Sequence, residues 1–375
     1  MFSLVVLALL ILMAIFAPYV APYDPMAQPR GGNLREQFFQ PPSSEHWLGT
    51  DDLGRDMLSR LIFGARISLL VGFSVAIINV ILGIFLGTLA GYFANRPFRF
   101  YLGPLNRTKG GWQGMFAVWR VLSWVLLYAA LYFVATLAWT LAGPAVQEGF
   151  GEAGWTTGNL VALIGLAVTW LVVAGTAVWG LFGRFKLDLD IVISRVIDFF
   201  LTIPSLPLLL VLSALLRDPQ TGFGRWAQGT FGDAYSVVII IFILALFGWI
   251  TSARLIRGSI LTLREQDFAA AAKALGASEF RIMFRHLSAN ALAPVIVEGT
   301  LAVGTAILVE AALSFLGFGI QPPVATWGNM LTNAQNYIFF APWLAFPPGV
   351  MIVITVLAIN YVGDGLRDAF DPRSQ

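Results

Sequence analysis

The chain contains no cysteine, only two histidines and little charge, and each shortage excludes something. Without cysteine there is no disulfide framework and no thiolate chemistry. His46 and His286 stand far apart in sequence, which argues against a zinc site built on them. Charged residues make up 12% of the 375, about half the usual share of a soluble domain, and 58% are hydrophobic. One globule cannot hide that much apolar surface, so the surface must face lipid. The formal net charge of +2 is too small to indicate a nucleic-acid partner. The chain also lacks a Gly-x-x-x-x-Gly-Lys-Ser/Thr loop, a His-Glu-x-x-His pair, a Gly-x-Ser-x-Gly elbow and a calcium-loop spacing. It is therefore not expected to hold ATP phosphates or to act as an enzyme.

What the chain does have is long apolar runs. They fall at 2–20, 67–93, 115–142, 159–182, 191–216, 235–256, 291–318 and 345–363. The fold class they predict is an all-α polytopic membrane protein. The first run starts directly after Met1 without a basic n-region and reads as a membrane helix rather than a cleaved signal peptide. The run 191–216 carries Arg195, Asp198, Pro204 and Pro207, and the prolines predict a kink, since each removes a backbone donor.

Orientation follows from the basic residues. With both termini in the cytosol, the cytosolic connections are 94–114, 183–190, 257–290 and the tail after 363. These hold Arg96, Arg107, Lys186, Arg257, Lys273, Arg285 and Arg367 among others, while 143–158 and 319–344 hold no Lys or Arg. The loop 217–234 holds Arg217 and Arg225. The segment 21–66 is an exception, with five arginines on the outside, but it is long and also carries six acidic residues. Its Gly49–Arg66 stretch reads either as a salt-bridged interfacial helix, each exposed pair contributing little, or as a surface for a partner protein.

The uncharged aromatic loop 319–344 is expected to be an interfacial belt; a short re-entrant half-helix at an outer gate is the sharper alternative. Carboxylates inside the apolar runs are few: Asp198, Glu310 and, nearer an end, Glu298. Glu310 is a candidate for proton coupling, although a hydrogen-bonded structural role is preferred because no second intramembrane charge is visibly paired with it.

The stretch 254–290 is different in kind. Gln266–Leu275 is Ala-dominated and should be helical. Gly276 stands where a left-handed cap would end that helix, and Ser278 can cap a second one. Small alanine faces allow close approach of another protein, with Phe268, Leu275, Phe280 and Phe284 as anchors. A membrane-surface amphipathic helix is the blander alternative.

Phe268-Ala-Ala-Ala-Ala-Lys-Ala-Leu-Gly276-Ala-Ser resembles the EAA loop of bacterial ABC-transporter permeases. Three more passages resemble the dipeptide/oligopeptide/nickel permease family, in its C-type subunit. They are His46-Trp-Leu-Gly-Thr-Asp-Asp-Leu-Gly-Arg-Asp56, with the following Leu58–Ser68; Leu313-Ser-Phe-Leu-Gly-Phe-Gly-Ile-Gln-Pro-Pro323, with Trp327-Gly-Asn-Met330; and Gly363-Asp-Gly-Leu-Arg-Asp368, with Asp371-Pro-Arg373.

The resemblance covers about 1–95 and 188–375. It implies a six-helix permease core in a bacterial inner membrane that carries peptides or related small solutes. The implied partners are a second permease in a heterodimer, two cytosolic ATPase subunits that bind ATP and Mg, and an extracytoplasmic solute-binding protein. It implies ATPase-coupling residues at Asp267, Phe268, Ala270, Ala271, Ala272, Lys273, Leu275, Gly276, Ala277, Ser278, Phe280 and Arg281, within a cytosolic loop 257–290. A secondary transporter working without an ATPase is the alternative.

Two positions depart from the family pattern: its usual glutamate falls at Ala270 and a later proline at Ala289. Glu265 or Asp267 can stand in for the missing carboxylate. A third departure is residues 97–187, which the six-helix pattern lacks. They carry two apolar spans rich in Trp and are expected to form an inserted transmembrane hairpin packed outside the core. The expected organisation is thus a first helix 1–20, an outer loop 21–66, core segments 67–96 and 188–375, and the insert.

Overall fold

The computed structural model describes residues 2–28, 37–95, 98–101, 157–182, 184–187, 189–218 and 220–370, with scattered positions between 128 and 147. Almost everything described is helical, in keeping with the all-α prediction. Contacts divide the chain into two units, Met1–Tyr92 with Ile193–Gln375, and Phe93–Val192.

The first unit starts with α1, Phe2–Ile15. The expected helix 2–20 is interrupted at Phe16, and Ala17–Val20 forms a separate turn with Pro18 in its first positions. Proline has no N–H to continue the earlier ladder. Helix α2, Met57–Phe93, begins ten residues before the predicted span. Asp56 starts it, because its Oδ2 accepts from Ser59 N at 2.7 Å, an N-cap bond.

The second unit contains the strand β1, Phe98–Tyr101; the helix α3, Thr157–Phe182; and the strand β2, Arg184–Leu187. The strands pair antiparallel, Phe98 opposite Leu187. This small sheet is an addition to the all-α expectation. Apart from scattered helical positions, the predicted span 115–142 lies outside the described residues.

The predicted span 191–216 is two helices, α4 (Leu189–Thr202) and α5 (Ser205–Arg217), bent by 91°. The break falls at Ile203–Pro204, so the expected kink is a full corner. A short helix unforeseen in the 217–234 loop follows, α6 (Gly222–Phe231), capped by Thr221 Oγ1 accepting from Gly224 N. Arg217 in that loop donates from Nη1 to Gly319 O at 2.6 Å, so it serves as a tie rather than a free charge. The rest of the chain forms α7 (Tyr235–Leu263), α8 (Asp267–Ala274), α9 (Leu292–Phe315), α10 (Trp327–Ala334) and α11 (Phe346–Phe370).

Among the described residues, four helical stretches are long and apolar enough to cross a membrane, and a fifth if α4 and α5 count as one span. Helix α2 is central to the bundle. One face packs on Leu10 and Ala14 of α1, Ile307 of α9, Trp327 of α10 and Ile352 of α11. Another face, through Val71 and Val75, packs on Leu209 of α5 and Ile239, Ile240 and Ile243 of α7.

The Gly49–Arg66 cluster is neither a solvated interfacial helix nor an open surface. Asp51, Arg55, Asp56 and Arg60 are all buried. Asp51 Oδ2 meets Arg55 Nε at 2.7 Å and Arg60 Nε at 3.4 Å, and His46 Nδ1 lies 2.9 Å from Asp56 Oδ1. Burial, and then the adjacent Asp51 carboxylate, raise the pKa of Asp52 above the usual aspartate value. Desolvation offsets much of the attraction in buried pairs of this kind, but removing one partner leaves an uncompensated buried charge, so the small cost of losing an exposed pair does not apply here.

Candidate functional site

The segment 264–290 folds as the residue types dictate. Helix α8 opens with Asp267 in its first turn and carries Lys273 in its last, both favourable to the helix dipole. Gly276 takes a φ of +79°, which a β-carbon would strain. Gly276 N donates to Lys273 O and Ala277 N to Ala272 O, both at 3.0 Å, so the helix ends in a Schellman motif. Ser278 Oγ then accepts from Arg281 N at 3.4 Å and starts the turn Glu279–Arg281. The predicted helix–Gly–helix form is present.

The chain then runs through a π-helical stretch, Ile282–Leu287, and a turn, Ser288–Asn290, into α9. The π stretch was not foreseen. It has a visible support: Ser288 Oγ donates at 2.9 Å to Met283 O, the same carbonyl that accepts the Ser288 backbone N–H across the wider turn.

The predicted site residues divide by exposure. Asp267, Ala270, Ala271 and Leu275 are exposed and form one stripe along α8, which Ala274, not among the predicted residues, completes. Lys273, Gly276, Ser278, Phe280 and Arg281 are exposed as well, and Phe268, Ala272 and Ala277 are half-buried. Leu275 is 89% exposed and Phe280 67%, large values for apolar side chains of this size. Phe284 is not an anchor of this kind: its ring stacks on Phe85 of α2 at 5.8 Å and lies 4.8 Å from Phe280. Asp267 shares the stripe with Ala270, so a carboxylate is present one turn from the position where the family has glutamate. Ala289 is exposed within the turn that precedes α9.

Both ends of this segment are clamped to α2. At the entry, Arg264 Nη1 donates to Gly91 O at 3.0 Å and Tyr92 O at 3.3 Å. At the exit, Thr88 Oγ1 and Ser288 Oγ share a hydrogen bond of 2.9 Å in the buried interior. From Gly83 to Gly91 α2 runs against α7 at backbone distance. A β-carbon at Gly83 would lie 2.3 Å from Ser252 Cβ, one at Gly87 2.5 Å from Ala253 O, and one at Gly91 2.8 Å from Ile260 Cβ. These residues were missed in the sequence, although Gly83, Gly87 and Gly91 recur every fourth residue, the spacing that lets helices touch.

A second constellation lies toward the other end of α2. The aromatic loop 319–344 is not merely a belt, because Trp327 is fully buried. Its Nε1 donates to Leu61 O at 3.0 Å and its backbone N to Ser68 Oγ at 3.2 Å. Phe339 and Phe340 remain exposed, as a belt requires. Helix α10 thus has the short half-helix form of the alternative, and the exposed aromatics follow it in sequence. Glu310 of α9, also fully buried, accepts on Oε1 from Ser314 Oγ at 2.7 Å and Thr326 Oγ1 at 3.1 Å.

Gly276→Val is expected to reduce the activity of any machine driven through this turn. Left-handed geometry costs about 1–2 kcal/mol at a residue with a β-carbon, and more when it is branched. Nothing lies within 4 Å of a β-carbon placed there, so strain is the only cause. Gly276→Asn, which tolerates the conformation, should stay close to the parent. The check is coupled ATP hydrolysis by the purified complex; equal activity of the Val and Asn variants would count against the turn.

The chain has relatives among known proteins. Residues 177–375 match the family described as binding-protein-dependent transport system inner membrane component. Residues 1–42 match the N-terminal transmembrane domain of oligopeptide transport permease C. The chain is similar to the di/tripeptide transport system permease protein DppC of Pseudomonas aeruginosa, 34% identical over 99% of this chain and 87% of that protein. It is 32% identical to the dipeptide permease DppC of Alkalihalophilus pseudofirmus, over 99% and 84% of the two chains. It is 29% identical to the oligopeptide permease OppC of Bacillus subtilis, over 100% and 85%. At these coverages the alignments run across 97–187, the segment that the six-helix pattern lacks.

Proposed function

The chain belongs to the family of binding-protein-dependent transport system inner membrane components, and on that footing we propose that it is one of two permease subunits of an ATP-driven importer of short peptides. The proposed cargo rests on relatives that are di-, tri- and oligopeptide permeases. The proposed partners are a second permease, two ATPase subunits that carry ATP and Mg, and an extracytoplasmic solute-binding protein. Residues 264–290 are the proposed ATPase contact, with both termini in the cytosol. The proposed role of 97–187 is a peripheral transmembrane hairpin.

The observation that carries the coupling reading is the pair Leu275 and Phe280. Both are exposed on a short rigid element whose two ends are tied to α2. Apolar side chains presented this way at the water-facing end of a bundle fit a groove in another protein. An ATPase pair that closes on ATP would move the element as a body, and α2 would tilt with it, because α2 is bonded to the element's entry and exit.

Co-purification tests the reading. The affinity-tagged permease, isolated from cells expressing its neighbouring subunits, is expected to retain two ATPase chains and to import labelled dipeptide only with ATP. Import that persists without an ATPase would identify a secondary transporter instead.

A further inference from the structure

The chain between α9 and α10 leaves regular structure and yet turns back into the bundle. Non-helical backbone at such depth survives only where protein satisfies it. Here side chains do so. Asn329 Nδ2 donates to Val324 O at 2.7 Å and Ile320 O at 3.2 Å, while its Oδ1 accepts from Thr326 N at 3.0 Å. Thr332 Oγ1 donates to Ser314 O at 2.7 Å, and Ser314 Oγ accepts from Ile320 N at 3.1 Å. Ser213 Oγ donates to Phe318 O. Small residues then let the half-helix seat: a β-carbon at Gly328 would lie 2.6 Å from Ala311 Cα, and one at Gly64 3.2 Å from Trp327 Cδ1.

Two features do not fit a fixed plug. The first is Glu310. Its Oε1 holds Thr326, at the start of α10, through one hydroxyl, while Oε2 is buried with no hydrogen-bond partner among the described residues. A buried acceptor left unmade costs about 1–3 kcal/mol, so an arrangement that supplies a donor lies within easy reach in energy. The second feature is α2. The helix bonded to Trp327 at Leu61 and Ser68 is the helix bonded to the 264–290 element at Thr88, Gly91 and Tyr92. Leu61 and Gly91 are roughly 45 Å apart at 1.5 Å per residue. One rigid element thus touches both ends of the machine. Beside α10 lies a small cavity of about 20 Å³, large enough for about one water, lined by Asn329, Met330 and Ala334 against Asp51, Arg55 and Arg60.

We propose that the half-helix Trp327–Ala334 is a movable closure at the end of the transport path opposite the ATPase contact, and that Glu310 is the positioning residue that holds it shut. The proposal rests on the importer reading above. Tilting of α2 draws on Trp327, and release requires the Glu310–Thr326 bond to break. Glutamine at 310 keeps an acceptor for both hydroxyls; alanine does not.

The absence of cysteine makes a clean test, since a single introduced thiol is this chain's only one. Ala334 is buried and lines the cavity, so Ala334→Cys is the reporter. Its maleimide labelling is followed in the full complex reconstituted with its ATPases. The rate should rise about tenfold when a non-hydrolysable ATP analogue traps the closed ATPases, since labelling tracks the open fraction. With Glu310→Ala it should rise about tenfold without nucleotide, and with Glu310→Gln it should match the reporter alone. A rate indifferent to nucleotide overturns the moving closure. An alanine variant that labels like the reporter, or a glutamine variant that labels like alanine, overturns the role of Glu310. If the alanine variant fails to assemble, Thr326→Val decides: it removes one donor and leaves the carboxylate, and unchanged labelling would overturn the proposal. ATP hydrolysis by the same preparation keeps the two readings apart. A complex without ATPase subunits fails the importer reading, whereas an active complex with a static reporter fails only the closure.

Discussion

Changing Leu275 and Phe280 together to aspartate is expected to strip the ATPase subunits from the purified complex while the permease stays in the membrane at its normal level. The two side chains stand mostly in solvent, so their loss removes little from the permease's own core beyond the contact of Phe280 with Phe284. Fully burying a Leu or Phe side chain against a partner contributes about 1.5–3 kcal/mol each, so the pair contributes roughly 3–6 kcal/mol to docking. That is on the order of a hundredfold to ten-thousandfold in affinity, before the cost of pressing two carboxylates into an apolar groove. The measurement is the ratio of ATPase to permease after affinity purification, and an unchanged ratio would sink the docking assignment. Phe284→Ala is the contrasting variant. Its ring stacks on Phe85 of α2, so the loss should appear as lower thermal stability of the permease itself.

The contrast between Phe280 and Phe284 shows where sequence reasoning reached and where it stopped. Cap chemistry is local, so Gly276 and Ser278 announced their turn without help from the rest of the chain. Pro204 announced a break for the same reason, though not its angle. Which of two phenylalanines one turn apart faces a partner depends on where α2 passes, and no local pattern carries that. Burial misled twice. The Gly49–Arg66 charges resembled surface pairs because composition does not reveal that Asp51, Arg55 and Arg60 close on one another in the interior. Trp327 resembled a belt residue because aromatic, uncharged loops usually are one; its partners, Leu61 O and Ser68 Oγ, lie more than two hundred and fifty residues away in sequence. The π stretch at Ile282–Leu287 shifts the ladder by one residue, a change that the residue types there do not mark.

Gly83, Gly87 and Gly91 belong to another class: the signal was present in the spacing, and it leads to the second large effect. Gly87→Leu is expected to prevent assembly of the complex, and Gly87→Ala to destabilise it by about 1–3 kcal/mol, the usual cost of overpacking. The β-carbon alone would sit 2.5 Å from Ala253 O and 2.8 Å from Ile256 Cβ. The first of these is backbone and cannot rotate away, so α2 and α7 would have to separate. Separation would also pull Gly91 O and Tyr92 O from Arg264, loosening the entry to the 264–290 element. Gly258 supplies the internal control. It lies on α7 with nothing within 4 Å of a β-carbon, so Gly258→Ala should be neutral or should stabilise by up to about 1 kcal/mol through helix propensity. Thermal unfolding of the detergent-solubilised complex, read by size-exclusion recovery, separates the cases. Equal melting of the Gly87→Ala and Gly258→Ala proteins would show that α2 and α7 are not in backbone contact. A Gly87→Ala protein that melts lower and also loses stimulation of its ATPase would tie the seam to coupling as well as to stability, because the same helix contact that sets the packing also sets the position of Arg264.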